Sequence, residues 1–265
     1  MIEIHTTAIV DSATEIGNNV KIGPFSIIGP NVRLHDDVKI YAHVVIDGDT
    51  TIGEGTEIFP FASIGHPPQD ISYSGEDSRL VIGKKNVIRE YVTMNPGTQK
   101  GGSLTSVGDH GFFMASSHVA HDCHIGNHVI FANNATIGGH CRVEDFVILG
   151  GLAGVHQFVR IGAYAFIGGM SGIENDVIPF GMAIGLRNAS LTGLNVVGLK
   201  RQGFSRERIH NLRKAYRLIF SPEGTLSERL EDAEKMFSDN PDVMKVINFI
   251  KADSDRPLCV PRNND

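Results

Sequence analysis

Tryptophan is absent from this chain, and cysteine occurs only three times in 265 residues. So sparse and odd a cysteine count excludes a disulfide framework and fits a reducing compartment. No apolar run is long enough to span a bilayer, and the N-terminus lacks the basic and apolar regions of a signal peptide, so a cytoplasmic protein without stable membrane insertion is expected. Aromatic residues make up 7% and are not interleaved with basic ones, and the net charge is −6, which speaks against nucleic acid as a partner. Glycine, in contrast, is plentiful at 30 residues.

The dominant pattern is an aliphatic residue at every sixth position. It runs Ile4, Val10, Ile16, Ile22, Ile28, Leu34 and on to Ile64, returns in phase at Ile82, Ile88 and Met94, and resumes from Val107 to Ile173. A period of six matches neither a helix nor an isolated strand, so it reports a repeat, with three hexads closing one triangular coil of 18 residues. Four positions after each aliphatic stands a small or β-branched residue (Ala8, Val20, Ser26, Cys123, Ala135, Cys141), suited to the narrow inner face. Glycine recurs directly after the aliphatic, as in Gly17, Gly23, Gly126, Gly138 and Gly162, where it would relieve backbone strain at each corner. The expected fold class is mainly β: a parallel β-helix of hexapeptide repeats over 1–187, followed by a C-terminal α-helical domain over 188–265.

Two excursions interrupt the repeat. Residues 66–79 replace aliphatics with turn formers while 64 to 82 keeps the length of one coil, and residues 100–106 add seven before Val107 resets the phase. Loops extruded from a rigid solenoid are favoured places for binding chemistry. Past Gly185 the spacing of Ile209, Leu212, Ala215, Tyr216 and Ile219 is helical, Ser205 and Thr225 with Glu228 offer N-terminal caps, and Asn240-Pro241 opens another helix. These helices should cover the open end of the sheets, Cys259 lies in a polar tail, and the last ten residues read as frayed.

Chemistry concentrates where hexads starting at Val119, Ile137 and Val155 stack, 18 residues apart. They carry His121-Asp122, Gly139-His140 and His156-Gln157 within roughly 10 Å of one outer face, with His118 just before the corner. The cluster admits a zinc site of the kind found in hexapeptide-repeat carbonic anhydrases, a histidine general base with its orienting groups, or a binding scaffold without catalysis. Asp122 beside His121 and Gln157 beside His156 look like hydrogen-bonding partners, which favours the general base without a metal.

Several strings carry a closer likeness: His118-Val119-Ala120-His121-Asp122-Cys123, Ala132-Asn133-Asn134-Ala135-Thr136, Val155-His156-Gln157-Phe158, Gly198-Leu199-Lys200-Arg201 and Gly203-Phe204-Ser205-Arg206. With them the chain resembles the UDP-N-acetylglucosamine 3-O-acyltransferases of lipid A biosynthesis over nearly its whole length. The resemblance implies a left-handed solenoid, a homotrimer with sites between subunits, UDP-N-acetylglucosamine as acceptor, and acyl carrier protein as partner, its phosphopantetheine thioester making any separate cofactor unnecessary. It implies His121 as general base, Asp122 as its orienting group and the Gly139 N–H as oxyanion donor. Asp70, His118, His140, His156, Gln157, Asn195 and Arg201 would bind substrate, and Gly169 would limit acyl length. Ser72, Asn95-Pro96, Asn188, Val197 and Gln202 depart from the best-known members, and some of the family prefer a sugar with an amine at the 3-position. The basic run Lys200, Arg201, Arg206, Arg208, Arg213, Lys214, Arg217 would steer the acidic carrier protein.

Overall fold

In a computed structural model describing residues 1–262, the hexads form a three-sided prism of short parallel strands. The first face holds 11 strands, the second 9 and the third 8. Strands are mostly two residues long, and each aliphatic lies directly over the aliphatic one coil away, as in Ile22 on Ile4 and Val155 on Ile137. The side chain preceding it points out, so a two-residue strand contributes one inward residue and the longer parallel strands two, and Ile46, Ile52, Phe113, Phe131 and Leu149 are fully buried. This core is one-dimensional, each coil touching only its neighbours.

The glycines after the aliphatics have a different reason from the one their position suggests. None of Gly17, Gly23, Gly126 or Gly138 has positive φ; a Cβ at Gly17 would lie 2.8 Å from the Asp36 nitrogen, and at Gly23 2.7 Å from the Tyr41 carbonyl carbon. The adjacent coil is too near for a side chain. The left-handed backbone falls two residues later, and it is taken by larger residues such as His43 (φ 58), Asp122 (φ 59), His140 (φ 62) and Phe158 (φ 66). Each costs on the order of 1 kcal/mol of strain. His43, His140 and Phe158 also send their N–H to a corner carbonyl of the coil before, His140 to His121 and Phe158 to Gly139 at 3.0 Å in both cases. Their rings stack in columns, His110–His128–Phe146–Tyr164 at centroid spacings of 4.7–4.8 Å.

Both excursions leave from the corner between the second and third faces, on successive coils. The stretch from Ile64 to Ile82 is not a whole coil: Ile82 pairs with Ile52 and Ile64 with Met94. Each pair is thirty positions apart, so twelve residues have been added. Twelve is two hexads, and the phase therefore survives the insertion. The second excursion is displaced from 100–106, because Leu104–Val107 pairs along its full length with Arg79–Ile82. What loops out is 97–103, clipped at both ends to one residue: the Gly97 N–H donates to the Arg79 carbonyl, and the Arg79 N–H to that of Ser103.

An antiparallel pair, Gly181–Ile184 with Ser190–Leu194, closes the first face. Four helices follow: α1 (Val196–Arg201), α2 (Arg206–Ile219), α3 (Leu226–Phe237) and α4 (Pro241–Lys251). Ser205, Thr225 with Glu228, and Asn240 cap their N-termini as expected, and Ile209, Leu212, Ala215 and Ile219 are buried. The tail is not frayed over its described part. Leu258 bridges to Asp176 and Pro261 to Leu191, and Cys259 is 1% exposed, its thiol donating to the Ala189 carbonyl. Burial pushes that thiol up to about 11. Sequence polarity hid this segment because its few apolar residues fill a slot the solenoid leaves open.

Candidate active site

The candidate corner lies one coil beyond the two insertions, where the second face turns into the third. The strand His118–Val119 stacks under Thr136–Ile137 and that under Gly154–Val155, which sets His121, Gly139 and Gln157 in a column. His121 is 5% exposed. Its burial differs from the open outer-face position expected of it, because its ring lies flat over Gly139: a Cβ there would be 2.4 Å from Cε1 and 2.6 Å from Nε2. His140, edge-on at 5.1 Å, closes one side.

Asp122 fixes the ring. Its Oδ2 meets His121 Nδ1 at 2.8 Å and accepts from the Thr98 hydroxyl at 2.6 Å, while Oδ1 accepts from the Thr98 N–H at 2.8 Å. Asp122's own N–H donates to the Thr105 hydroxyl at 2.8 Å instead of to a corner carbonyl, since the coil beneath loops out there. A carboxylate that already accepts from Thr98 has only acceptor oxygens to offer, so His121 Nδ1–H donates to it. Nε2 is then left with its lone pair, close to Gly139 and without a hydrogen-bond partner among the described residues. Thr98 and Thr105 went unnoticed in the sequence; for Thr98 the available signal was a glycine-rich insertion of seven residues, while Thr105 lies in the strand that follows it. Gly101 is part of it, a Cβ there falling on the Asp122 carboxyl.

His140 stacks on Phe158 at 4.4 Å with the ring planes nearly parallel, and its Nε2 stands 3.8 Å from Asp122 Oδ2, outside hydrogen-bond range. Burial lowers its basicity, with Asp122 acting the other way. Half-buried His118 bonds through Nδ1 to the Thr93 hydroxyl at 2.7 Å, and burial depresses it too. His156 and Gln157 are exposed at the next corner. Asp70 is held by the Ser72 N–H (2.8 Å) and hydroxyl (3.0 Å), which lower its pKa, with His121 and Lys100 adding to the effect. Ser72 thus grips the carboxylate in place of reaching for substrate. Asn95 ties the two loops by donating to the His66 carbonyl at 3.0 Å.

His121, Asp122 and His140 place one donor atom each within 4.8 Å of one another. That set fits a metal poorly, since the Asp122 oxygens and His121 Nδ1 are already spent on each other and on Thr98.

Three expected site residues stand apart from this column. Asn195 caps α1, its Oδ1 accepting from Gly198 and its Nδ2 donating to Tyr164. Arg201, at the end of α1, is exposed, and neither residue shares a hydrogen bond with the His121 cluster. Gly169 is exposed at the corner between the first and second faces, over Gly151. Its 48-residue separation from His121 is two coils and two further sides, so one chain does not align them along a groove. Within the basic run, Arg208 is not free: it makes a two-point ion pair with Asp242 at 2.7 and 2.8 Å and stacks on Phe204. Arg206, Arg213, Lys214 and Arg217 remain exposed.

Comparison with known proteins gives a consistent set. A family profile described as UDP N-acetylglucosamine O-acyltransferase, domain 2, matches residues 176–259, and one described as bacterial transferase hexapeptide (six repeats) matches 13–48 and 105–139. The acyl-[acyl-carrier-protein]–UDP-N-acetylglucosamine O-acyltransferase of Rickettsia peacockii is 52% identical over 256 residues, 97% of each chain. Its counterpart from Methylobacterium radiotolerans is 65% identical over 199 residues, 75% of this chain and 73% of its own. Among solved structures, UDP-N-acetylglucosamine acyltransferase from Campylobacter jejuni matches with a TM-score of 0.92 at 37% identity, covering 98% of this chain and 100% of that one. The Francisella novicida enzyme matches with a TM-score of 0.94 at 33% identity, over 100% and 95%.

Proposed function

The chain belongs to the acyl-[acyl-carrier-protein]–UDP-N-acetylglucosamine O-acyltransferases, and from that membership we propose that it moves a long (R)-3-hydroxyacyl chain from an acyl carrier protein thioester to the 3-hydroxyl of UDP-N-acetylglucosamine, the first step of lipid A biosynthesis. The observation that carries the reading is the His121–Asp122 pair, which leaves Nε2 as an unprotonated acceptor directly beside a glycine. His121 Nε2 takes the proton of the 3-hydroxyl as its oxygen attacks the thioester carbonyl. The Asp122 carboxylate holds the imidazolium that forms. The tetrahedral oxyanion is received by the Gly139 N–H, which has no hydrogen-bond partner among the described residues, and a side chain at 139 would bar its approach. Collapse breaks the carbon–sulfur bond, and the departing thiolate recovers the proton from His121. Asp70, His118, His140, His156 and Gln157 surround this point and would orient the sugar and the donor. The thioester arrives on the carrier protein's own phosphopantetheine, so no further cofactor is needed.

A homotrimer accounts for the residues one chain leaves apart. Outward residues of the second face are uncharged (Ile27, Val45, Thr93, Thr136, Gly154), as are those of the upper first face (Val87, Phe112, Ile130, Ile148, Phe166). The third face instead presents Glu15, Arg33, Arg142 and Arg160. Burying the two uncharged faces around their shared corner would set a neighbour's Gly169, Asn195 and Arg201 toward the His121 column and exclude water from it. Such an enzyme would work in the cytoplasm, and among the described residues no helix is long and apolar enough to cross a membrane.

The test is to supply 3-hydroxyacyl carrier-protein donors with UDP-N-acetylglucosamine or its 3-amino analogue and weigh the products. An ester on the hydroxyl sugar that hydroxylamine cleaves is the expected product. Exclusive formation of an amide on the amino sugar would assign the chain to the other substrate class, and transfer that stops on chelation would restore the metal reading.

A further inference from the structure

Arg256 reaches the catalytic column from the far end of the chain. Its Nε donates to the Gln157 carbonyl at 2.9 Å, and its Nη2 meets His156 Nδ1. The segment that carries it is anchored rather than loose. Ser254 donates to Asp176 Oδ2 at 2.6 Å, that carboxylate is also gripped by Arg160 at 2.7 Å, and Leu258 bridges to Asp176. Asp176 is 1% exposed, so the anchor is built into the last coil of the prism.

A guanidinium has five N–H donors and no acceptor. The nitrogen of His156 that faces it must therefore offer a lone pair. The alternative, a proton on Nδ1 donated to the Gln157 carbonyl 3.3 Å away, is the weaker of the two arrangements. That oxygen already accepts from Arg256 at the shorter distance, and the proton would point at a cation's own N–H.

We propose that Arg256 is a positioning residue that locks His156 in the tautomer with its proton on Nε2. His156 then presents one fixed donor to the cleft, suited to a carbonyl or phosphoryl oxygen of the bound reactants. The arrangement mirrors His121, where Asp122 on Nδ1 leaves Nε2 as the acceptor. Two imidazoles two coils apart are thus given opposite polarity, one by a carboxylate and the other by a guanidinium. The catalytic consequence rests on His156 contacting substrate; the tautomer lock does not.

The experiment uses the full-length protein with Arg256→Met and Arg256→Lys, each beside parent, His156→Ala and the Arg256→Met/His156→Ala double variant. With 15N-labelled histidine, the His156 ring should show a single Nε2–H tautomer in the parent and a mixture in Arg256→Met, with partial return in Arg256→Lys. Losing a charge-assisted bond that fixes a donor should lower kcat/KM about tenfold to a hundredfold. The double variant should lose no more than His156→Ala alone, because the effect passes through that ring. An unchanged Nε2–H tautomer in Arg256→Met, or losses that multiply in the double variant, would overturn the proposal. A fully active His156→Ala would instead remove the substrate-contact role of His156, and the ring spectrum would still decide the lock.

Discussion

Gly139→Ala adds a single methyl group to the corner under His121, and the structure sets the size of its effect. The new Cβ would sit 2.4 Å from Cε1, 2.6 Å from Nε2 and 3.0 Å from Nδ1 of that ring. Ordinary carbon contacts need roughly 3.5–4.0 Å, so the imidazole must retreat by about 1 Å. Backbone strain is not the cause, since φ at 139 lies outside the left-handed region. Asp122 cannot follow the ring, because Thr98 holds both of its oxygens and Thr105 its N–H. The 2.8 Å bond from His121 to Asp122 must then stretch or turn. A displacement of this size costs about 10² in rate, and weakened tautomer control should bring the total to roughly 10²–10³. Stability should fall by about 1–3 kcal/mol, as for other overpacked sites. Single-turnover acyl transfer with enzyme in excess reads the chemical step, and thermal unfolding reads the packing. Transfer within threefold of the parent would refute the argument, for it would mean that the ring neither rests on Gly139 nor needs its present place.

Asp122→Asn keeps the shape of the corner but turns an acceptor toward an amide, and kcat should drop by about 10²–10⁴ while substrate KM changes little; unaltered kcat would show that His121 does not depend on its partner. Thr98→Val should cost less, about tenfold to a hundredfold, by removing one of the two hydrogen bonds to Asp122 Oδ2, and an unchanged pH–rate profile in that variant would count against the role assigned to the loop. Reversing Arg206 and Arg213 to Glu, with Arg208 left in its ion pair, should raise KM for carrier-protein thioesters and flatten their salt dependence; kinetics that stay the same mark the run as a solvated face. Gly169→Met should shorten the preferred acyl chain only in the assembled trimer, and equal loss on all chain lengths would make it a structural glycine. His118 and His140 have imidazoles whose basicity burial lowers, so the unfolded chain binds more protons as the medium is acidified. Their contribution to stability is full above the ordinary histidine range of about 6.5 and fades as pH falls through the lowered folded values, so the urea midpoint should decline on acidification, less steeply in His118→Gln.

The prism, its register and the stacking of His121, Gly139 and Gln157 were legible because a fixed period maps sequence separation directly onto height and side. The same rule hid what it could not count. A twelve-residue insertion kept the phase and passed for part of a coil, and Gly169 looked aligned with His121 until the extra two sides placed it at another corner. Contacts between distant segments leave no periodic trace: Thr98 on Asp122, Arg208 on Asp242 and Arg256 on His156 depend on loops and helix packing. The corner glycines were assigned the wrong cause because a single sequence cannot tell an unusual backbone angle from a close neighbour.

Strand pairing on both sides of each insertion pins the chain where it leaves and where it returns, so seven or twelve residues enter a turn without moving the coil above. Such a solenoid tolerates length variation at a turn in a way that a globular core does not. The length of these two turns can change the groups near the next corner while His121 keeps its place in the coil. For an engineer, the matching turn three coils after the second insertion, at His156-Gln157, is an insertion port. A segment spliced between the second and third faces beyond His156 would overhang the same cleft from the opposite end.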